Sequence, residues 1–442
     1  MIRRLHVPPF SLLQPFLPGA AANDEETREQ VSRILSGVRQ RGDEAVREYT
    51  WEFDGVDLPP SQWELKTDTW QGALDRTPAP VRDALVLAAD RVRAYHERQR
   101  EAGFRLAEPD GTLLGMKVTP IDRVGLYVPG GKASYPSSVI MNAVPAIVAG
   151  VREVIAVVPP TGVTDTVLAA CALAGVTRVF RIGGAQAIGA LAFGTATVPR
   201  VDKVVGPGNR WVAEAKRQVV GWVGIDMIAG PTELLILADS SARPERVAAD
   251  LIAQAEHDED ACAWCVTPDE ALADALPEAL EAALERAPRA AIARVALERQ
   301  GLLIVVPSLR EGIEVVNLRA PEHLEIVTQG AERVATSIRH AGAIFLGDDT
   351  PEPVGDYLAG PSHVLPTGGT ARYASPLGVY DFVKRTSLIR YSAERLAADA
   401  PYIIALAEAE GLAGHAEAVR VRLAAAVSDA GADPAAGRLG GG

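Results

Sequence analysis

The sequence predicts an α/β fold with two similar domains, each built on a parallel sheet, with a helical region before them and a small helical domain after them. Two observations carry this. Short apolar runs of strand length alternate with amphipathic stretches of ten or so residues, the texture of parallel strands joined by crossover helices. The alternation also runs twice in succession, each series spanning somewhat over about 100 residues.

Taken in order, Glu25 to Gln40 and Pro80 to Arg105 place apolar residues at a period of about 3.6 and read as helices. In the first series VREVIAVVPP reads as a buried strand, TDTVLAACALAGV as a helix, TRVFRIGG as a strand and AQAIGALAFG as a helix. DKVVGPGN is then a strand that runs into the helix RWVAEAKRQVV. The second series opens with strand TELLILAD, helix PERVAADLIAQAE, strand ACAWCVT and an Ala/Glu-rich helix to about Arg286. It continues with GLLIVVP, LREGIEVVN, EIVT, AERVATSIRH and AIFLG, strand and helix in turn. Beyond Gly368 the texture shifts to a final helical stretch from Ala393 to about Val427, and DAGADPAAGRLGGG has the composition of a disordered tail.

Composition narrows the function. A hydrophobic content of 48% with 23% charged residues is that of a folded soluble protein. The net charge of -13 opposes a phosphate backbone, and no Lys/Arg run interleaved with aromatics occurs, so nucleic acid is not expected as a partner. No run approaches the about 18 apolar residues of a membrane span. Pro8, Pro9, Pro15 and Pro18 break any signal-peptide core in the N-terminal arm. Three cysteines, an odd number, fit a reducing compartment, and a cytoplasmic protein is expected.

The stretch AQAEHDEDACAWC, residues 253–265, concentrates possible chemistry. Its Cys-x-x-C invites a redox reading, but Cys262 and Cys265 lie in strand-like text, where residues three apart face opposite ways. They read as core. Gln254 and His257, three apart at a helix end, share a face. Taken alone they suit either a metal or a solvated cap. His323 follows Glu322 at a strand entrance, Asp356 and His363 occupy a Gly/Pro-rich loop, and His415 lies five residues after Glu410 in the last helical region. Such residues at loop and helix ends are the raw material of an open metal site. His6, His96 and His340 read as surface residues. Three glycine-rich joints, GLYVPGG, RIGGAQAIG and VVGPGNRWVAEAK, connect strand-like to helix-like text, where backbone N–H groups suit phosphate. None matches G-x-G-x-x-G; Trp211 stands where GPGNRW would need its last glycine.

The blocks GLYVPGGKASYPSSVIMNAVPAIVAGV, GGAQAIGALAFGT, VDKVVGPGNRWVAEAKR, GIDMIAGPTE, AQAEHDEDA, APEHLE, GDYLAGPSHVLPT and EGLAGHAEAV together resemble the histidinol dehydrogenase family, in order from about Tyr49 to about Val419. The resemblance implies a homodimeric enzyme with shared active sites. It would bind one Zn2+ per subunit and use two NAD to oxidise L-histidinol through L-histidinaldehyde to L-histidine. By position in the matched blocks, Gln254, His257, Asp356 and His415 would hold zinc, the last from the partner subunit. Tyr127, Gln186 and Asn209 would contact NAD. Thr232, Glu410, His323 and the zinc ligands would surround the substrate, with His323 as catalytic base and Glu322 activating or orienting water. The family commonly has Ser at Thr232, and Thr keeps the hydroxyl. A relative acting on another amino or sulfonated alcohol is the alternative.

The implied fold has two similar incomplete Rossmann-like domains. Their expected bounds are residues 22–125 with 233–372 for the first, carrying zinc ligands and base, and 126–232 for the second, on the NAD side. An arm over 1–21, a helical dimerisation domain over 373–428 and a tail over 429–442 complete the division.

Overall fold

The computed structural model describes residues 2–17, 24–130 and 135–430. The expected tail lies, from residue 431, outside the described residues. The chain forms two compact units, Met1–Arg100 with Pro120–Phe382, and Glu101–Thr119 with Val383–Gly442.

In chain order the strands are β1 (Arg3–His6), β2 (Phe104–Ala107), β3 (Leu113–Pro120), β4 (Arg123–Tyr127), β5 (Glu153–Val157), β6 (Arg178–Phe180) and β7 (Lys203–Val205). They continue with β8 (Gly224–Ile225), β9 (Glu233–Ala238), β10 (Cys262–Thr267), β11 (Leu302–Val305), β12 (His323–Val327), β13 (Ala343–Leu346) and β14 (Val383–Arg390). The first unit holds two parallel sheets, one ordered β6-β5-β4-β7-β8 and the other β1-β11-β10-β9-β12-β13. Without β1, both run third, second, first, fourth, fifth in the order of their own series. This is the doubly wound order short of its last strand. The two incomplete Rossmann-like halves are thus topological copies, joined by residues 226–232.

Alternation along each strand divides the side chains between two cores. In the first sheet Val154 and Ala156 face one cluster while Ile155 and Val157 face the other. In the second, Ala263 and Cys265 point one way and Cys262, Trp264 and Val266 the other. The two thiols therefore project from opposite faces of β10, buried and free, and burial pushes them up to about 11 for Cys262 and about 12 for Cys265.

Several expectations are corrected. The helices between residues 25 and 97 share cores with the five-stranded sheet, through Val31, Leu35 and Val38 on one face and Trp70, Leu85 and Val92 on the other. On the second of these faces the core also takes in Val364, and Arg91 donates to the Leu358 carbonyl at 3.3 Å, so the helices also touch residues 233–372. Arg3–His6, expected as an arm, adds an edge strand to the six-stranded sheet by parallel pairing with β11. The helix expected to reach Arg105 ends at Glu97, and Phe104–Ala107 is a strand. His96 is not on the surface: it is fully buried, with Nδ1 2.8 Å from the Val92 carbonyl. On a helix whose other buried positions are 85, 88, 89 and 92, residue 96 continues the apolar stripe.

In the second unit a small sheet ordered β14-β3-β2 accompanies two helices, Ala393–Ala409 and Ala413–Ala430. Ser392 caps the first, accepting from Arg395 N (3.0 Å), and its hydroxyl also donates to Asp110 of the β2–β3 turn (3.3 Å). The unit is not purely helical, because β2 and β3 come from residues some 280 positions earlier.

Candidate active site

The constellation around His323 is built at the N-terminal edge of the six-stranded sheet. β9 and β12 are neighbours there, with His323 opposite Leu234, so Thr232, Glu233, Glu322 and His323 start side by side. The crossover helix Pro244–Ala255 runs back against β9 and ends at the same edge, delivering Gln254 and, one turn on, His257. After β13 the short helix Glu352–Tyr357 brings Glu352 and Asp356, four apart on one face.

Each side chain has a fixed orientation. His323 is buried, and its Nδ1 lies 3.0 Å from the Glu233 carbonyl, which places the proton on Nδ1 and leaves Nε2 as the acceptor. Among the described residues Nε2 has no hydrogen-bond partner; Glu352 Oε1 is 3.8 Å away. Burial pushes His323 down to about 4, with Asp356 and the Glu233 bond pulling weakly the other way. It is neutral at pH 7, and a weaker base than the ordinary histidine that the sequence suggests.

Glu322 is pushed up to about 8, again by burial, although Oε2 accepts from Thr232 Oγ1 (2.7 Å) and Glu233 N (2.8 Å). The Thr232 hydroxyl in turn accepts from Gln254 Nε2 at 2.9 Å, so the hydroxyl that Thr shares with Ser bridges Glu322 and Gln254. This leaves Gln254 Oε1 buried without a hydrogen-bond partner among the described residues. His257 has Nδ1 3.0 Å from the Ala253 carbonyl, which frees Nε2.

Burial alone would raise Asp356, but the His363 hydrogen bond and the nearby His363, His323 and His257 hold it below the usual carboxylate range. His363 Nδ1 is 3.6 Å from Asp356 Oδ1. Glu352, by contrast, is held above that range by burial and then by the Asp356 charge. Ligand atoms of His323, Glu352 and Asp356 lie within 4.8 Å of one another. Glu352 and His363 complete the constellation; the sequence had set His363 beside Asp356 in one loop but passed over Glu352. Glu352 had a legible signal in its four-residue spacing from Asp356.

The expected nucleotide residues gather at the opposite, carboxyl edge of the five-stranded sheet. Tyr127 ends β4, and its hydroxyl accepts from Gly184 N at 3.2 Å; burial raises it to about 12. Gln186 is fully buried, and among the described residues neither amide atom has a partner. Asn209 caps the helix Arg210–Gln218 through Oδ1, which accepts from Trp211 N and Val212 N at 3.1 Å each. They follow the first, third and fourth strands of this sheet, beside the crevice where connections diverge. Glu410 and His415 lie in the second unit, both exposed, the first at the end of one helix and the second in the opening turn of the next.

Two linked Rossmann-like halves, with an oriented histidine and oxygen and nitrogen donors at a sheet edge, define an α/β dehydrogenase. Comparison with known proteins gives the family. A family model described as Histidinol dehydrogenase matches residues 18–423, and the chain belongs to that family. Histidinol dehydrogenase of Acinetobacter baylyi is 51% identical over 433 residues, covering 96% of this chain and 100% of the relative. That of Bordetella parapertussis is 53% identical over 414 residues, covering 93% of this chain and 94% of the relative. The crystal structure of histidinol dehydrogenase from Elizabethkingia anophelis superposes with a TM-score of 0.90 at 34% identity, covering 96% of this chain and 99% of that one.

Proposed function

We propose that this protein oxidises L-histidinol through L-histidinaldehyde to L-histidine, with zinc and two NAD, in the cytoplasm, as a homodimer with shared sites. The observation that carries the reading is the bare, buried Nε2 of His323, held in its acceptor tautomer beside a set of metal-type donors. The donors fit zinc: the Gln254 carbonyl, without a partner among the described residues, the Nε2 of His257, whose Nδ1 is held by the Ala253 carbonyl, and the ionised Asp356 are an oxygen and nitrogen set. In this reading His415 comes from the partner subunit as the fourth ligand, and Glu410 with Thr232 completes the substrate's surroundings. The carboxyl-edge crevice beside Tyr127, Gln186 and Asn209 fits a dinucleotide, with Gln186 offering a buried amide that has no partner among the described residues. When bound, NAD supplies the hydride acceptor, and zinc a grip on the substrate's imidazole and amino nitrogens.

The chain's own residues handle the protons. In the first oxidation His323 Nε2 takes the hydroxyl proton as the carbinol carbon gives up hydride, and the Glu233 carbonyl stabilises the imidazolium through Nδ1–H. In the second, water adds to the aldehyde and the hydrate is oxidised in the same way. Glu322 is set beside His323 by the Thr232 hydroxyl and the Glu233 N–H, where it orients that water. Three buried free thiols accord with a cytoplasmic setting, and among the described residues no helix is long and apolar enough to cross a membrane.

The test is turnover of L-histidinol with mass-spectrometric detection of L-histidine. Product formation should stop when NAD is omitted or metal is stripped by a chelator, and return on adding zinc. Turnover that persists without NAD, or histidinol left intact by the zinc-loaded protein, contradicts the reading.

A further inference from the structure

Gly206 ends the five-stranded sheet's fourth strand and opens the turn to Asn209, and both of its backbone polar groups are taken by buried side chains. Its N–H donates to Asp226 Oδ2 at 2.8 Å, and its carbonyl accepts from Lys216 Nζ at 2.9 Å. Lys216 and Asp226 also pair with each other, their side chains 3% and 0% exposed. The backbone here is left-handed, with φ of 110°, and a Cβ would lie 2.3 Å from the Tyr127 carbonyl oxygen, so only glycine lets β7 end this close to β4. Lys216 reaches back from the helix that Asn209 caps, and Asp226 begins the 226–232 connection to β9. One ion pair therefore ties together the turn, the helix after it and the connection between the two sheets.

We infer that Lys216 and Asp226 are positioning residues for the nucleotide, holding the Gly206–Asn209 turn in its binding geometry. The inference rests on the reading of this edge as the NAD site. With both Gly206 groups occupied by protein, the turn's contribution to the dinucleotide falls to Gly208 and Asn209. Asn209 Oδ1 is committed to the helix cap, which leaves its Nδ2 as the donor. A buried ion pair returns little net stability against its desolvation cost, whereas removing one partner strands a charge. The pair's effect is accordingly geometric. A shift of about 1 Å in a positioning group costs up to about a hundredfold in rate or binding.

The test uses the full-length, zinc-loaded protein and three variants: Lys216→Met, Asp226→Asn and the double variant. Fluorescence titration with NADH, KM for NAD and for histidinol, kcat, zinc content and Tm are measured on each. Lys216→Met should lose the most Tm, because it buries an unpaired carboxylate, and the double variant should regain most of that loss. The double variant should nonetheless keep a KM for NAD raised at least about tenfold, with kcat, histidinol KM and zinc within about threefold of the parent. Asp226→Asn keeps an acceptor for the Gly206 N–H and, as the mildest change, decides the matter if the others fail to fold. A folded Asp226→Asn or double variant with parental KM for NAD overturns the inference, as does a KM for NAD that simply follows Tm. A parent protein that binds no NADH removes the nucleotide reading itself and the pair's role with it, an outcome distinct from a parent and variants that bind equally.

Discussion

At His323 a single hydrogen bond decides which ring nitrogen faces the site. Because Glu233 O takes Nδ1–H, replacement of the ring removes the proton acceptor without disturbing the donors at Gln254 and His257. His323→Asn should lower kcat by about 10²–10⁴-fold while zinc content and KM for NAD stay near parental values. A kcat within about threefold of the parent would remove His323 from its role as base. Since burial lowers its pKa toward about 4, the acid limb of kcat/KM should lie below the ordinary histidine range. Thr232 gives a second residue-level prediction. Thr232→Ser keeps the hydroxyl bonded to Glu322 and Gln254, whereas Thr232→Val leaves both without it, at a cost of about 1–3 kcal/mol. Urea unfolding of the two variants should separate them, and equal stability would show that the bridge contributes nothing.

Among the elements, β10 and the carboxylates around β12 behave oppositely. β10 is apolar on both faces, so Cys262→Ala with Cys265→Val should leave zinc content and turnover within about twofold of the parent, apart from a modest packing loss. A large zinc loss would make the thiols ligands after all. β12 and the neighbouring helices bury Glu322, Glu325 and Glu352, all held above the normal carboxylate range chiefly by burial. For such groups the folded state prefers the proton. Their contribution to stability is complete below the unfolded carboxylate value and is lost as pH rises through the folded values, about 8 for Glu322. His323 has the opposite dependence: its contribution is present above the unfolded histidine value and is lost as pH falls toward about 4. The metal-free protein should therefore be less stable at pH 8.5 than at pH 6, as read by urea unfolding, with Glu325→Gln shrinking the difference. A metal-free protein that gains stability over that interval would contradict the sign.

Across the whole molecule, legibility in the sequence followed burial. The interior strands β5, β9, β10 and β11 are continuous apolar runs and were readable as such. The edges were not: β1 is the polar RRLH, and β8 has two residues. Nor could local patterning tell that helices before residue 100 pack on the first sheet, or that β2 and β3 pair into the unit completed by β14, because these are choices among distant partners. The site shows the same division. Spacing put Gln254 and His257 on one face of a helix end but left metal and solvated cap both open, and the matched blocks were what singled them out with Thr232, Glu322 and His323. His363 was visible in the same loop as Asp356, whereas Glu352 emerged only when the fold set it beside Asp356. If sites are shared between subunits, mixing inactive His323→Asn and His415→Asn proteins should restore part of the activity through hybrid dimers, and no recovery would confine each site to one chain.

The most direct measurement supplies limiting L-histidinol with excess NAD to the zinc-loaded enzyme and counts NADH formed against L-histidine recovered. Two oxidations at one site predict two NADH and one histidine for every histidinol consumed. One NADH for each, with the aldehyde accumulating, or NADH formed without histidine, would contradict the account.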